Sequence, residues 1–114
     1  LGTSSFDAPG TARAIDELGL KGKVFTAGTG MPAANAQILK DGSVSALTLW
    51  DPADAGYALA SLATKILKGE KIEDGVDLGV EGYENMHFAP GSNKVLEGNG
   101  WLKITKDNVD SLGF

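Results

Sequence analysis

The 114-residue chain contains no cysteine. Disulfides, thiol catalysis and thiolate metal sites are therefore excluded, while the compartment stays open. There is one histidine, His87. No Gly-x-Ser-x-Gly elbow exists for it to serve as a base. Glu84 and His87 alone are too few for a metal site, so His87 is expected to be a surface or half-buried residue of an alternating strand. Basic residues are outnumbered, 10 Lys and Arg against 15 Asp and Glu, for a net charge of −5. A nucleic-acid surface needs the opposite balance. No apolar run approaches the roughly 20 residues that cross a bilayer as a helix. Internal repeats and low-complexity segments are missing too. What remains is ordinary globular material, 42% hydrophobic and 22% charged, amounting to one domain at most. The 16 glycines suit an α/β protein with many tight turns.

The run Gly22–Pro52, taken with the residues before it, reads as βα units. Leu1-Gly2-Thr3-Ser4-Ser5 resembles the tail of a strand whose apolar body lies upstream, and there is no initiator Met, so a piece of a larger protein is expected. A first helix is predicted from Asp7 or Ala8, with Asp7 as N-cap and Pro9 in the first turn. Ala12, Ile15 and Leu18 form its apolar stripe, and Gly19 closes it in a left-handed conformation. Val24–Ala27 reads as a short buried strand and Gly28-Thr29-Gly30 as the turn after it. Pro32 opens a second helix with Ala33, Ala36, Ile38 and Leu39 on its apolar surface, and Asp41-Gly42 ends it. Val44 to Trp50 reads as the next strand. Asp51 caps a third helix that starts at Pro52 and ends around Lys68-Gly69, amphipathic through Tyr57, Leu59, Leu62, Ala63, Ile66 and Leu67. Beyond it, Val76, Leu78 and Val80, then Met86 and Phe88, then Trp101, Leu102 and Ile104 read as short strands between Gly/Asn/Pro turns. One helical turn is predicted at Lys106–Val109.

Three features bear on chemistry. Gly28-x-Gly30-x-x-Ala33 fits a relaxed dinucleotide fingerprint, with Asp51 at about the right distance of ~20 residues for a ribose contact. The plain alternative is the tight turn that any parallel α/β unit needs, and Pro32 removes one N–H a phosphate would use. Thr3, Ser4, Ser5 and Asp7 form a polar cluster at a strand's carboxyl end, where open α/β sheets bind ligands; capping alone accounts for Asp7. Trp50 ends a strand beside Asp51. It is either core packing or a flat face for a sugar ring, with the carboxylate available to hydroxyls.

Lys21-Gly-Lys-Val, Gly28-Thr-Gly-Met-Pro, Leu39-Lys-Asp-Gly-Ser-Val and above all Leu49-Trp-Asp-Pro-Ala-Asp-Ala-Gly-Tyr resemble the C-terminal part of type I periplasmic solute-binding proteins of ABC sugar importers. The branch they resemble is the rhamnose- and autoinducer-2-binding one. The ending Trp101-Leu-Lys-Ile-Thr-Lys-Asp-Asn-Val-Asp-Ser-Leu-Gly-Phe is similar to that branch's tail, so the resemblance covers essentially the whole chain. It implies an incomplete three-layer α/β sandwich, with parallel βα units followed by short C-terminal strands. Residues 1–48 would be a portion of the C-terminal lobe and 49–52 a hinge crossing. Residues 53–72 would be a helix of the N-terminal lobe, and 73–114 strands and a tail returning across the hinge.

The resemblance also implies a ligand held between lobes by Thr3, Ser4 and Ser5, by Thr29, Gly30 and Met31, and by Trp50 and Asp51. Many relatives carry a Gly-Phe-Asp whose carboxylate meets sugar hydroxyls, where this chain has Gly28-Thr29-Gly30. That departure is compatible with the rhamnose and autoinducer-2 branch. The expected function is capture of a small sugar or sugar-like ligand, without catalysis, cofactor, metal or nucleic acid. A membrane permease would be the partner. The location would be periplasmic, or extracellular and lipid-anchored in a cell without an outer membrane. The isolated piece is expected to be oligomeric or associated with the rest of its parent chain. Two other readings share the pattern: the ligand-sensing domain of a LacI-type regulator, which needs an upstream helix-turn-helix, and a dinucleotide-binding oxidoreductase domain.

Overall fold

A computed structural model describes residues 2–114. They form two compact units, Leu1–Leu49 with Leu102–Phe114, and Trp50–Trp101. The predicted strand tail at the amino end begins at Leu1, which lies outside the described residues.

In the first unit, α1 (Asp7–Glu17) buries Ala8, Ala12 and Ile15. The spacing of four and three places them on one face. Leu18, expected in that stripe, is exposed because it is the C-cap. Gly19 follows at φ +63°, its N–H bonded to the Asp16 carbonyl while Leu20 N–H reaches that of Ile15. This is a Schellman ending, as glycine at that position predicts. The start differs from expectation. Phe6 occupies the N-cap, without a side-chain bond, and Asp7 is already helical. From that first position the Asp7 carboxylate turns back to the preceding loop instead of capping its own helix.

The first strand is also displaced. β1 is Ala27–Thr29, not Val24–Ala27. Val24 N–H bonds to the Leu20 carbonyl, and Phe25 is 72% exposed. β1 pairs in parallel with β2 (Ala46–Trp50), Ala27 opposite Ala46, Gly28 opposite Leu47 and Thr29 opposite Thr48. Gly28 therefore lies inside a strand. A Cβ there would stand 3.4 Å from both the Ala8 Cβ and the Gly2 carbonyl oxygen. Its smallness serves close helix–strand approach, not a turn.

Helix α2 (Pro32–Lys40) begins at Pro32 as predicted, and Gly42 follows it at φ +81°. Its buried face is Pro32, Asn35 and Leu39, whereas Ala33 is exposed. In β2 the alternation holds: Leu47 and Leu49 are buried, Thr48 and Trp50 exposed. β2 is the central strand of a three-stranded sheet, with β1 on one side and, counting in chain order, β5 (Trp101–Ile104) on the other. β2 thus has a neighbour on each side, because the tail supplies β5. The core joins Ala8, Ala12, Leu39, Val44, Leu47, Leu49, Ile104 and Val109. The predicted helical turn at Lys106–Val109 lies further on, as a 3₁₀ turn at Val109–Ser111 packed on α2. Asn108 Oδ1 takes the Thr105 N–H at 2.8 Å, which holds the residues before it in a non-helical turn.

In the second unit, α3 (Pro52–Leu67) buries only Ala58 fully, with Leu62 packed on the same small core of Ala58, Leu78 and Met86. Tyr57, Leu59, Ile66 and Leu67 stay exposed, Leu67 at 88%. The strand expected at Val76–Val80 is reduced to one bridge, Val76 with Met86. Gly75 before it and Gly79 within it stand at φ +84° and +80° and turn the chain out of extended geometry. β3 (His87–Phe88) and β4 (Leu96–Glu97) form a short antiparallel pair.

Candidate functional site

The residues expected to meet a ligand all stand at helix entrances. In the first unit, Thr3, Ser4 and Ser5 precede α1. The Asp7 carboxylate organises them: its Oδ2 accepts the N–H groups of Thr3 at 2.9 Å and Ser4 at 3.0 Å. Ser4 Oγ accepts the Phe6 N–H at 3.3 Å. Gly2 N–H donates to the Ala27 carbonyl at 3.1 Å, which seats this segment beside β1. The Thr3 and Ser5 hydroxyls stand on the exposed surface of that loop.

Thr29, Gly30 and Met31 run from the end of β1 into α2. Thr29 is half-buried, Gly30 buried and Met31 exposed. The turn is locked by Asn35, 5% exposed, whose Nδ2 donates to the Met31 carbonyl at 2.9 Å. A Cβ on Gly30 would come within 2.8 Å of that nitrogen. Sequence patterning missed Asn35, since a polar residue on a helix carries no periodic signal of burial. The N-terminus of α2 is also filled. Pro32 has no N–H, and Ala33 N–H donates to the Phe114 carbonyl at 3.3 Å. A phosphate would find neither donor, and the first fingerprint glycine is inside β1 rather than in a loop.

In the second unit, Trp50 and Asp51 precede α3. Asp51 is the N-cap, its Oδ1 accepting from Ala53 N–H at 2.7 Å and Asp54 N–H at 3.4 Å. That fixes the carboxylate and leaves Oδ2 without a donor among the described residues. Trp50 is 42% exposed and packs edge-to-face with Trp101, ring centroids 5.3 Å apart at 84°. The core reading of Trp50 therefore does not hold within this chain. Trp50, Tyr83, Met86, Leu96 and Trp101 border a hollow of about 200 Å³. Sequence reasoning read Trp101 only as part of an apolar run.

Elsewhere in this unit, Glu81, Glu84, Asn85, His87, Glu97 and Asn99 line an open hollow of about 730 Å³. His87 is exposed. Its Nδ1 lies 2.9 Å from Asp74 Oδ2, and its Nε2 lies 2.9 Å from Asn85 Nδ2. Asp74 Oδ1 accepts the Phe88 N–H at 2.7 Å. The His87 ring first, and that N–H second, hold the Asp74 carboxyl below its ordinary value. These bonds clamp β3 to the loop before it. Among the described residues, no three His, Asp or Glu side chains are placed to share a metal ion, and no helix is long and apolar enough to cross a membrane.

The family model of the periplasmic binding protein domain matches residues 1–71. Among solved structures, a sugar ABC transporter protein from Actinomyces odontolyticus is 32% identical with a TM-score of 0.76, matched over 97% of this chain and 35% of that one. LsrB from Clostridium saccharobutylicum, solved in complex with AI-2, is 23% identical with a TM-score of 0.67, over 98% of this chain and 38% of that one. At that identity the second likeness speaks for the fold alone. The chain spans somewhat over a third of the length of these two proteins. No curated protein matches it.

Proposed function

The chain belongs to the periplasmic binding protein family and has its type I α/β fold, and on that premise we propose that it is a C-terminal part of the substrate-binding component of an ABC importer. The component captures a small sugar or sugar-like ligand, of the rhamnose or autoinducer-2 kind, in the cleft between two lobes of the complete receptor. Residues 1–48 belong to the C-terminal lobe, 49–52 to a hinge crossing, 53–72 to a helix of the N-terminal lobe, and 73–114 to strands and a tail that return across the hinge. The ligand meets Thr3, Ser4, Ser5, Thr29, Gly30, Met31, Trp50 and Asp51. The work is binding, not catalysis. The partner is the importer's permease, and the location is the periplasm, or the outer surface of a cell without an outer membrane.

The observation that carries this reading is Trp50: a large ring held half-open at a strand end, next to a carboxylate already fixed by its helix. An exposed indole face suits the C–H face of a sugar ring, and a fixed carboxylate suits its hydroxyls. The likeness to a sugar ABC transporter protein over 97% of this chain favours an importer over a LacI-type regulator. The occupied N-terminus of α2 speaks against a dinucleotide. The exposed Tyr57, Leu59, Ile66 and Leu67 of α3 are covered by the rest of the parent chain, or by a second copy when the piece is isolated.

Calorimetry tests the proposal. A receptor of its relatives' length carrying this chain binds L-rhamnose or autoinducer-2 saturably. The isolated chain binds either one weakly or not at all, because two-sided burial supplies most contacts to a small ligand. Micromolar affinity in the isolated chain would overturn the two-lobe assignment.

A further inference from the structure

Trp50 and Trp101 are the two tryptophans of the chain, and they meet. β2 ends on one and β5 begins on the other, and these strands are neighbours in the sheet. Neither ring is buried, Trp101 being 57% exposed. An indole this open samples several rotamers unless something restrains it. The edge-to-face contact at 5.3 Å is such a restraint.

The backbone that leads into Trp101 is held close to the unit's core. A Cβ on Gly100 would stand 2.6 Å from the Tyr83 ring, and one on Gly98 would run into the Met86 sulfur. Met86 is buried in the unit's core and Tyr83 packs against it. The backbone leading into Trp101 thus lies flat on that core, at two positions where only glycine fits. The backbone that carries Trp101 to Trp50 is therefore fixed in place.

We infer that Trp101 is a positioning residue. It holds the Trp50 indole at a fixed angle, so that Trp50 offers a preorganised platform to the apolar face of a small sugar-like ring. Preorganisation lowers the ordering cost that binding would otherwise carry. The identity of the ligand rests on the receptor reading above; the ordering of Trp50 does not.

With two tryptophans in the chain, Trp101→Phe and Trp101→Ala each leave Trp50 as the sole indole, so time-resolved fluorescence anisotropy reads its motion directly. Trp101→Phe keeps an aromatic ring against Trp50, and Trp50 should then move only with the whole molecule. Trp101→Ala should add local nanosecond motion at Trp50, with little change in thermal unfolding because the lost ring was mostly exposed. Equal restriction of Trp50 in the two variants overturns the inference. So does a lowered melting point in both without added motion, the mark of a purely structural role.

In the receptor that carries this chain, calorimetry with L-rhamnose and with autoinducer-2 should give Trp101→Ala a Kd about three- to tenfold above that of Trp101→Phe, the range an edge-to-face contact supports. Equal Kd values beside a loosened Trp50 overturn the platform role. Absence of heat from the unsubstituted receptor with both compounds is a failure of the receptor reading, and the anisotropy still decides whether Trp101 orders Trp50.

Discussion

Replacing Gly30 by alanine would place a methyl group 2.8 Å from Asn35 Nδ2 and 3.5 Å from a Leu47 methyl carbon. The Asn35 side chain has to yield, and it is not free to. It is buried and bonded to the Met31 carbonyl at 2.9 Å. Losing that bond with a buried amide left unpaired costs about 1–3 kcal/mol, and crowding a packed site costs a similar amount. Against this, alanine restricts the unfolded chain and returns about 0.4–1 kcal/mol. Gly30 has no positive φ among the described residues, so backbone strain adds nothing. The net expectation for Gly30→Ala is a destabilisation of roughly 1–5 kcal/mol, read from urea unfolding midpoints at constant slope. Gly28→Ala meets its neighbours only at 3.4 Å and should cost less. A double-mutant cycle locates the cause. In an Asn35→Ala background the clash partner is gone, and Gly30→Ala should then cost under half as much. An undiminished cost there would refute the account of this turn.

Asp51→Ala removes the only side-chain helix cap among the described residues and should destabilise α3 by about 1 kcal/mol, while Asp51→Asn largely restores it; thermal unfolding followed by circular dichroism checks both. Asp74 is held below its ordinary value of 3.8 by His87 first and by the Phe88 N–H second. A depressed carboxylate stabilises the fold above its unfolded value, and the contribution disappears as pH falls through the lowered one. Asp74→Asn should therefore flatten the acid limb of melting temperature against pH, as pH falls below the ordinary value of 3.8, and leave the neutral limb unchanged. Light scattering on the isolated chain at micromolar concentration should give a mass above that of one chain, because of the open apolar face of α3; a monodisperse, cooperatively melting single-chain species would contradict the assignment of α3 to a lobe that the chain does not complete.

What was legible in the residues was whatever repeats or punctuates. β2 showed itself as an apolar run ending at Trp50, and α3 through Asp51-Pro52 at its entrance. Parallel βα pairing followed from their order. β1 was misplaced because Val24 and Phe25 look like strand residues and Gly28 looks like a turn. Parallel pairing with Ala46–Thr48 outweighs those local preferences, and the close approach of α1 at Ala8 calls for the glycine. Alternation at Val76–Val80 was overridden by glycines at positive φ, Gly75 before it and Gly79 within it. The residues proposed to meet the ligand fall at the entrances of three helices, which helix-start signals mark in the sequence; the residues that support them carry no such signal. Asn35 is a polar residue buried for one hydrogen bond, and Trp101 acts through contact with a residue fifty-one positions away. Neither kind of relation leaves a mark in local sequence. Asp7 illustrates the same limit: its type suits capping, but its partners are the loop behind it.

Titration of Trp50→Ala in the receptor that carries this chain tests the central claim most directly. Calorimetry with L-rhamnose or autoinducer-2 should show binding weakened by about 1–3 kcal/mol, the loss expected for an aromatic face in ligand contact, while the unliganded receptor melts nearly where it did before. An unchanged Kd would take Trp50 out of ligand contact, and a large fall in that melting temperature would give it a packing role in the complete receptor; either contradicts the account.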